Sequence, residues 1–102
     1  MQKLILIVDD EDAIREMVHY VLELAGFKVI GAANAIEAEN RIYERVPDLL
    51  LLDWMLPGTS GIEFAKRLKK RSETQHLPII MLTAKAEEDH KVRALEMGAD
   101  DY

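Results

Sequence analysis

Three short runs constrain the fold of this chain more than any other feature: Leu4-Ile5-Leu6-Ile7-Val8, Leu49-Leu50-Leu51-Leu52 and Ile79-Ile80-Met81-Leu82. None of them alternates apolar with polar residues. A strand buried on one face alternates with a period of two, whereas a strand covered on both faces is apolar throughout, as in a parallel sheet flanked by helices. Between the first two runs the period becomes helical. Ile14, Met17, Val18, Val21 and Leu22 fall at i, i+3, i+4, i+7 and i+8, and Gly26 follows as a stop.

The units succeed one another without a linker or low-complexity tract. Strand one is expected over Lys3–Val8 and strand two over Lys28–Ala32. Asn34, with Glu37 three residues on, resembles a capping box and opens a helix to about Arg45 that presents Ala35, Ala38 and Ile42 inward. Pro47 precedes strand three, Leu49–Leu52. Pro57-Gly58-Thr59-Ser60-Gly61 reads as a turn-rich loop, and helix three is expected over Ile62–Arg71 with Ile62, Ala65 and Leu68 on one face. Pro78 introduces strand four, Ile79–Leu82, and a fourth helix is expected from about Glu87 to Met97, stopped by Gly98. Four βα units predict an α/β fold with a parallel sheet, helices on both faces and right-handed crossovers. Asp101-Tyr102 then reads as the approach to a fifth strand, so the natural domain is expected to be longer than this sequence.

The 102 residues suit one small domain, with 49% hydrophobic residues for a core and 31% charged residues for a solvated exterior. A net charge of −6 argues against direct contact with nucleic acid, which needs a basic face. The absence of Cys excludes disulfides, thiolate zinc sites and cysteine nucleophiles. The apolar stretch after Lys3 is shorter than the roughly 7–15 residues of a secretory h-region, and no stretch approaches the roughly 20 of a membrane span. A cytoplasmic location without a membrane partner is expected.

Asp9 and Asp10 directly follow the first run, and Asp53 directly follows Leu52. Each acid therefore sits at the carboxyl end of a strand, the edge of an open α/β sheet where ligands bind. Carboxylates gathered there repel by roughly 4 kcal/mol per pair at about 4 Å and an effective dielectric near 20. A divalent cation or a chemical step gives a fold reason to keep such a cluster. The plainer explanation is that acids end strands and cap the next helix, as Asp10 or Asp12 could before Ile14. That account serves for one strand; acids after two strands, forming an all-oxygen ligand set, point to a functional site. His19, His76 and His90 show no ligand spacing and read as structural or solvated. The Met residues read as core filler, and the run Lys66-Arg67-Leu68-Lys69-Lys70-Arg71 as a solvated helix face.

Four motifs together resemble the receiver domain of bacterial two-component response regulators. They are Val8-Asp9-Asp10-Glu11, Leu52-Asp53-Trp54-Met55-Leu56-Pro57-Gly58, Leu82-Thr83-Ala84 and Gly98-Ala99-Asp100-Asp101-Tyr102, and they cover the chain in order. Ile14-Arg15-Glu16-Met17-Val18 and the stretch from Asp53 to Gly58 look closest to the winged-helix transcription regulators within that family. The resemblance implies a flavodoxin-like (CheY-like) doubly wound parallel sheet of strand order 2-1-3-4(-5), with the fifth βα unit missing from this sequence. It implies that Asp53 is the phospho-acceptor and that a sensor histidine kinase is the donor. It also implies that Asp10, Asp53 and the Met55 backbone carbonyl bind Mg2+ directly, with Asp9 reaching the ion through water. A carboxylate nucleophile forms an acyl phosphate, and magnesium with one or two carboxylates and several waters suits the charge neutralisation this needs.

By the same resemblance, Thr83 hydrogen-bonds the attached phosphoryl group and Tyr102 is the aromatic switch residue. Read without the resemblance, Thr83 is equally a β-branched residue ending a strand, and Tyr102 a strand residue packing on a helix. Trp54 and Lys85 flank the acceptor as candidates for controlling water access or steadying Asp9. Lys91, Arg93, Glu96, Asp100 and Asp101 resemble half of a homodimer face, whose other half the family places on a fifth helix. The family also places a phosphoryl-pairing lysine in the fifth strand, and the sequence ends before both. Three other readings compete with this one. A small-molecule aspartyl phosphatase would carry a second acid where Met55 stands, and a flavodoxin-like cofactor carrier would carry a phosphate-cradling loop in place of Asp9-Asp10-Glu11-Asp12. A receiver-like adaptor that binds partners without phosphorylation is the third.

Overall fold

Leu4–Val8 forms β1, Lys28–Ala32 β2, Leu49–Asp53 β3 and Ile79–Leu82 β4; between them lie α1 (Asp12–Leu24), α2 (Ala35–Glu44) and α3 (Gly61–Lys69). The structure is a computed structural model that describes residues 2–82. The expected fourth helix and Gly98 lie outside the described residues. All three strand pairings are parallel and the order is β2-β1-β3-β4, as the doubly wound reading requires.

The unbroken apolar runs are explained by burial on both faces. Leu6, Val8, Leu50, Leu52, Ile79 and Met81 pack on one side against Ala35, Ala38 and Ile42 of α2 and Ile62, Ala65 and Leu68 of α3. The alternate residues Ile5, Ile7, Val29 and Leu51 form the core on the other side, with Val18 and Leu22 of α1 against them. Burying each such side chain is worth about 1.5–3 kcal/mol, so neither face of these strands tolerates a polar residue.

Helix boundaries follow local chemistry. The α2 N-cap is Asn34, whose Oδ1 accepts from the Glu37 N–H at 2.9 Å; the Glu37 carboxylate accepts from the Ala33 N–H at 3.4 Å, one residue before the partner of a standard capping box. Helix α3 begins one residue before the expected start because Ser60 caps it, accepting from the Glu63 N–H at 3.1 Å. It ends at Lys69 rather than Arg71. There the chain turns, and Lys69 donates from Nζ to the Leu77 carbonyl at 2.8 Å.

Helix α1 departs from expectation. Its five apolar residues share one helical face, yet no residue of α1 is fully buried, and Met17 and Val21 are 59% and 56% exposed. The helix touches the sheet through Val18 and Leu22 only partly, and on the same face Leu49, Ile80 and Leu82 are only partly buried. Apolar periodicity identifies the face that can be buried; the area of sheet beneath decides how much of it is.

Candidate functional site

Register brings the acids together. Val8 pairs with Leu52 across β1 and β3, so the residues one step beyond, Asp9 and Asp53, lie level at the carboxyl edge. Strand β3 runs one residue further than expected, through Asp53, because Asp53 pairs with Leu82 of β4. Asp9 is buried, Asp53 half-buried and Asp10 exposed. One carboxylate oxygen from each of the three lies within 4.8 Å of the others.

The loop after β1 is shaped by Asp9. Its N–H donates to the Ala32 carbonyl of β2 at 3.1 Å, and its Oδ1 accepts from the Glu11 N–H at 2.9 Å. The capping explanation for these acids fails on geometry. The N-cap of α1 is Glu11, without a side-chain cap, and neither Asp10 nor Asp12 occupies that position.

The loop after β3 is fixed equally tightly. Trp54 donates its N–H to the Leu82 carbonyl at 3.0 Å and accepts from the Gly61 N–H at 2.9 Å, and its side chain packs partly buried on the core. Gly61 is required by close approach, since a Cβ there would collide with the Asp53 backbone oxygen. Gly61 is expected in a turn; the start of α3 in fact presses against the backbone of Asp53. Met55 is largely exposed, and its N–H meets Asp53 Oδ1 at a long 3.5 Å.

Burial first, and the Asp9 carboxylate second, push the Asp53 carboxyl up to about 6; Asp10 adds to the rise, while the Met55 and Trp54 backbone N–H groups oppose it. Burial and two neighbouring acids thus favour the neutral form of Asp53, and a cation relieves the repulsive part of that cost. Three convergent oxygen donors of graded burial fit a hard divalent ion of magnesium type. Depressions of 490, 470 and 330 Å3 on the described surface are not lined by any of the three acids.

The histidines read as structural or solvated stand apart from the acids: His19 is paired with Glu23 one helical turn away at 3.2 Å, and His76 is exposed. Arg67 and Arg71 of the basic run face Glu39 of α2 at 3.5 and 3.7 Å. Thr83, Lys85, His90, Lys91, Arg93, Glu96, Asp100, Asp101 and Tyr102 lie outside the described residues.

A family profile for the response regulator receiver domain matches residues 5–102. The chain belongs to the receiver-domain family. It is 61% identical over 100 residues to the phosphate regulon transcriptional regulatory protein PhoB of Pseudomonas aeruginosa, a match covering 98% of this chain and 44% of that protein. It is 55% identical over 102 residues to PhoB of Escherichia coli, covering 100% of this chain and 44% of the relative. Among solved structures, the chemotaxis protein CheY4 of Vibrio cholerae superposes with a TM-score of 0.93 at 32% identity, covering 99% of this chain and 84% of the other. The receiver thus spans under half the length of these curated relatives. Its family is one of signalling receivers in two-component regulation, and among its described residues no helix is long and apolar enough to cross a membrane.

Proposed function

We propose that this receiver accepts a phosphoryl group on Asp53 from a sensor histidine kinase, with Mg2+ as cofactor, and so switches a transcriptional output in a longer regulator. The observation that carries the reading is the gathering of Asp9, Asp10 and Asp53 within 4.8 Å in a chain of the receiver family. Asp10, Asp53 and the Met55 backbone carbonyl would hold the ion, with Asp9 acting through water. The ion would neutralise charge on the transferring oxygens.

The work of this chain's own residues follows from their placement. One Asp53 carboxylate oxygen attacks phosphorus as the bond to the kinase imidazole breaks, giving an acyl phosphate and returning the electron pair to the histidine nitrogen. With its carboxyl at about 6, Asp53 is ionised at pH 7 in roughly a ten-to-one ratio, so the nucleophile is available without a separate base. The neighbouring Asp9 carboxylate, itself buried, keeps that charge unstable until it is neutralised. The receiver is in this reading a stoichiometric acceptor rather than a turnover enzyme. Thr83 and Tyr102 would read the phosphorylated state, and Lys91, Arg93, Glu96, Asp100 and Asp101 would contribute to a homodimer face. The working location would be the cytoplasm.

Incubation with magnesium and acetyl phosphate, followed by intact mass and peptide mapping, tests this independently of any kinase. A single adduct on Asp53, absent from Asp53→Asn, is expected. An adduct on a His or Ser, or undiminished labelling of the variant, would refute the reading; no adduct at all would favour the phosphorylation-independent adaptor.

A further inference from the structure

One side chain from α1 reaches back to the loop that carries two of the three acids. Arg15 donates from Nη1 to the Asp9 backbone carbonyl at 2.7 Å and from Nη2 to the Asp12 carboxylate. The bond to Asp12 is an i,i+3 helix pair with an exposed acid, a kind of contact worth little. The bond to Asp9 is different. It leaves the helix, spans six residues, and comes from a side chain only 21% exposed.

The route of Arg15 is prepared by β2. Its stem lies over Gly31, where an added Cβ would stand 3.0 Å from Arg15 Cδ and 3.4 Å from Cγ. Glycine inside a strand commonly marks such an approach. The next residue, Ala32, accepts the Asp9 N–H. Thus β2 holds the amide of Asp9 directly and provides the floor across which Arg15 holds its carbonyl.

That carbonyl belongs to the planar peptide joining Asp9 to Asp10. Fixing its direction fixes the plane from which the Asp10 side chain departs, while the Glu11 N–H fixes the carboxylate of Asp9. No side chain caps α1 in compensation. We propose that Arg15 is a positioning residue of the acid cluster: by orienting the Asp9–Asp10 peptide it holds both carboxylates in register with Asp53 for a divalent cation. The proposal rests on the receiver reading above. A lysine would not substitute, because one ammonium lacks the guanidinium's rigid fork of donors.

Magnesium chloride titrations of the 102-residue chain, read by calorimetry and by Trp54 fluorescence, provide the test, together with amide exchange at Glu11 in metal-free protein. Arg15→Met should weaken magnesium binding about 10-fold, as loss of outer-shell support typically does. Arg15→Lys should recover little of it. Gly31→Ala keeps the guanidinium but displaces its stem; it should weaken binding by a smaller factor, and it carries the test if Arg15→Met does not fold. The Glu11 amide should exchange faster in Arg15→Met and in Gly31→Ala. Parent-like magnesium affinity in Arg15→Met and Gly31→Ala, with only a lower melting temperature, would make Arg15 a structural strut and overturn the proposal. Asp53→Asn, titrated in parallel, separates the two levels: loss of binding there but in neither of the Arg15-directed variants sinks the Arg15 proposal alone. Undiminished binding in Asp53→Asn sinks the acid-site reading and this proposal with it.

Discussion

Asp53→Asn should stabilise the metal-free receiver at neutral pH, although it removes the residue on which the proposed function depends. In the fold the Asp53 carboxyl is raised to about 6 from an ordinary value of 3.8, chiefly by burial and then by Asp9. The native state therefore binds this proton more tightly than the unfolded chain does. Relative to a neutral residue, the group costs nothing below about pH 4, and its cost grows as pH rises through 6. A shift of about two units corresponds to a ceiling of about 3 kcal/mol, and solvent screening of this partly exposed carboxylate reduces it to about 1–2 kcal/mol. Asparagine keeps the shape and removes the charge. Urea unfolding followed by Trp54 fluorescence should place the variant's midpoint about 1 M above the parent's at pH 7.5, for an m-value of about 1–1.5 kcal/mol/M. The gap should narrow through pH 6 and close near pH 4. Magnesium at ten times its Kd should return about 1.4 kcal/mol to the parent and much less to the variant. A variant less stable than the parent at pH 7.5, or a gap that does not change with pH, would refute the conclusion that burial and the neighbouring acids make the Asp53 charge costly in the folded state.

Three further perturbations address the scaffold around the site. Gly61→Ala forces a methyl against the Asp53 carbonyl oxygen and should cost about 1–3 kcal/mol in chemical denaturation, an overpacking penalty; a neutral result would show that the start of α3 can move away freely. Asn34→Ala should lose about 1 kcal/mol by leaving the Glu37 N–H without its cap, and Asn34→Asp should retain most of that stability in thermal melts. Thr74→Val removes a buried hydroxyl that donates to the Leu68 carbonyl, which also accepts from the Arg71 N–H at 3.2 Å; the expected loss is therefore about 1 kcal/mol rather than the larger penalty of an orphaned acceptor, and a loss well above this would show that the Arg71 bond does not compensate.

The sequence by itself determined the elements and the edge on which chemistry sits. A five-residue run such as Leu4–Val8, apolar at every position, has the length of a strand and no polar position to turn toward water, and an acid placed directly after it emerges at that strand's carboxyl end. It also held signals that were passed over: Ser60 with Glu63 three residues later is a helix start, and Gly31 inside β2 marks a close approach. Tertiary structure decided the rest, because periodicity is a property of one segment and a site is a property of several. The Val8–Leu52 register, not either run alone, sets Asp9 level with Asp53, and pairing with Leu82 carries β3 through Asp53. The same distinction explains α1, whose five apolar residues share one helical face while Met17 and Val21 stay exposed. Local pattern records which side chains gain from leaving water; only the packed neighbours decide whether surface exists to receive them, and whether burial and two nearby carboxylates together make Asp53 hold its proton to about pH 6.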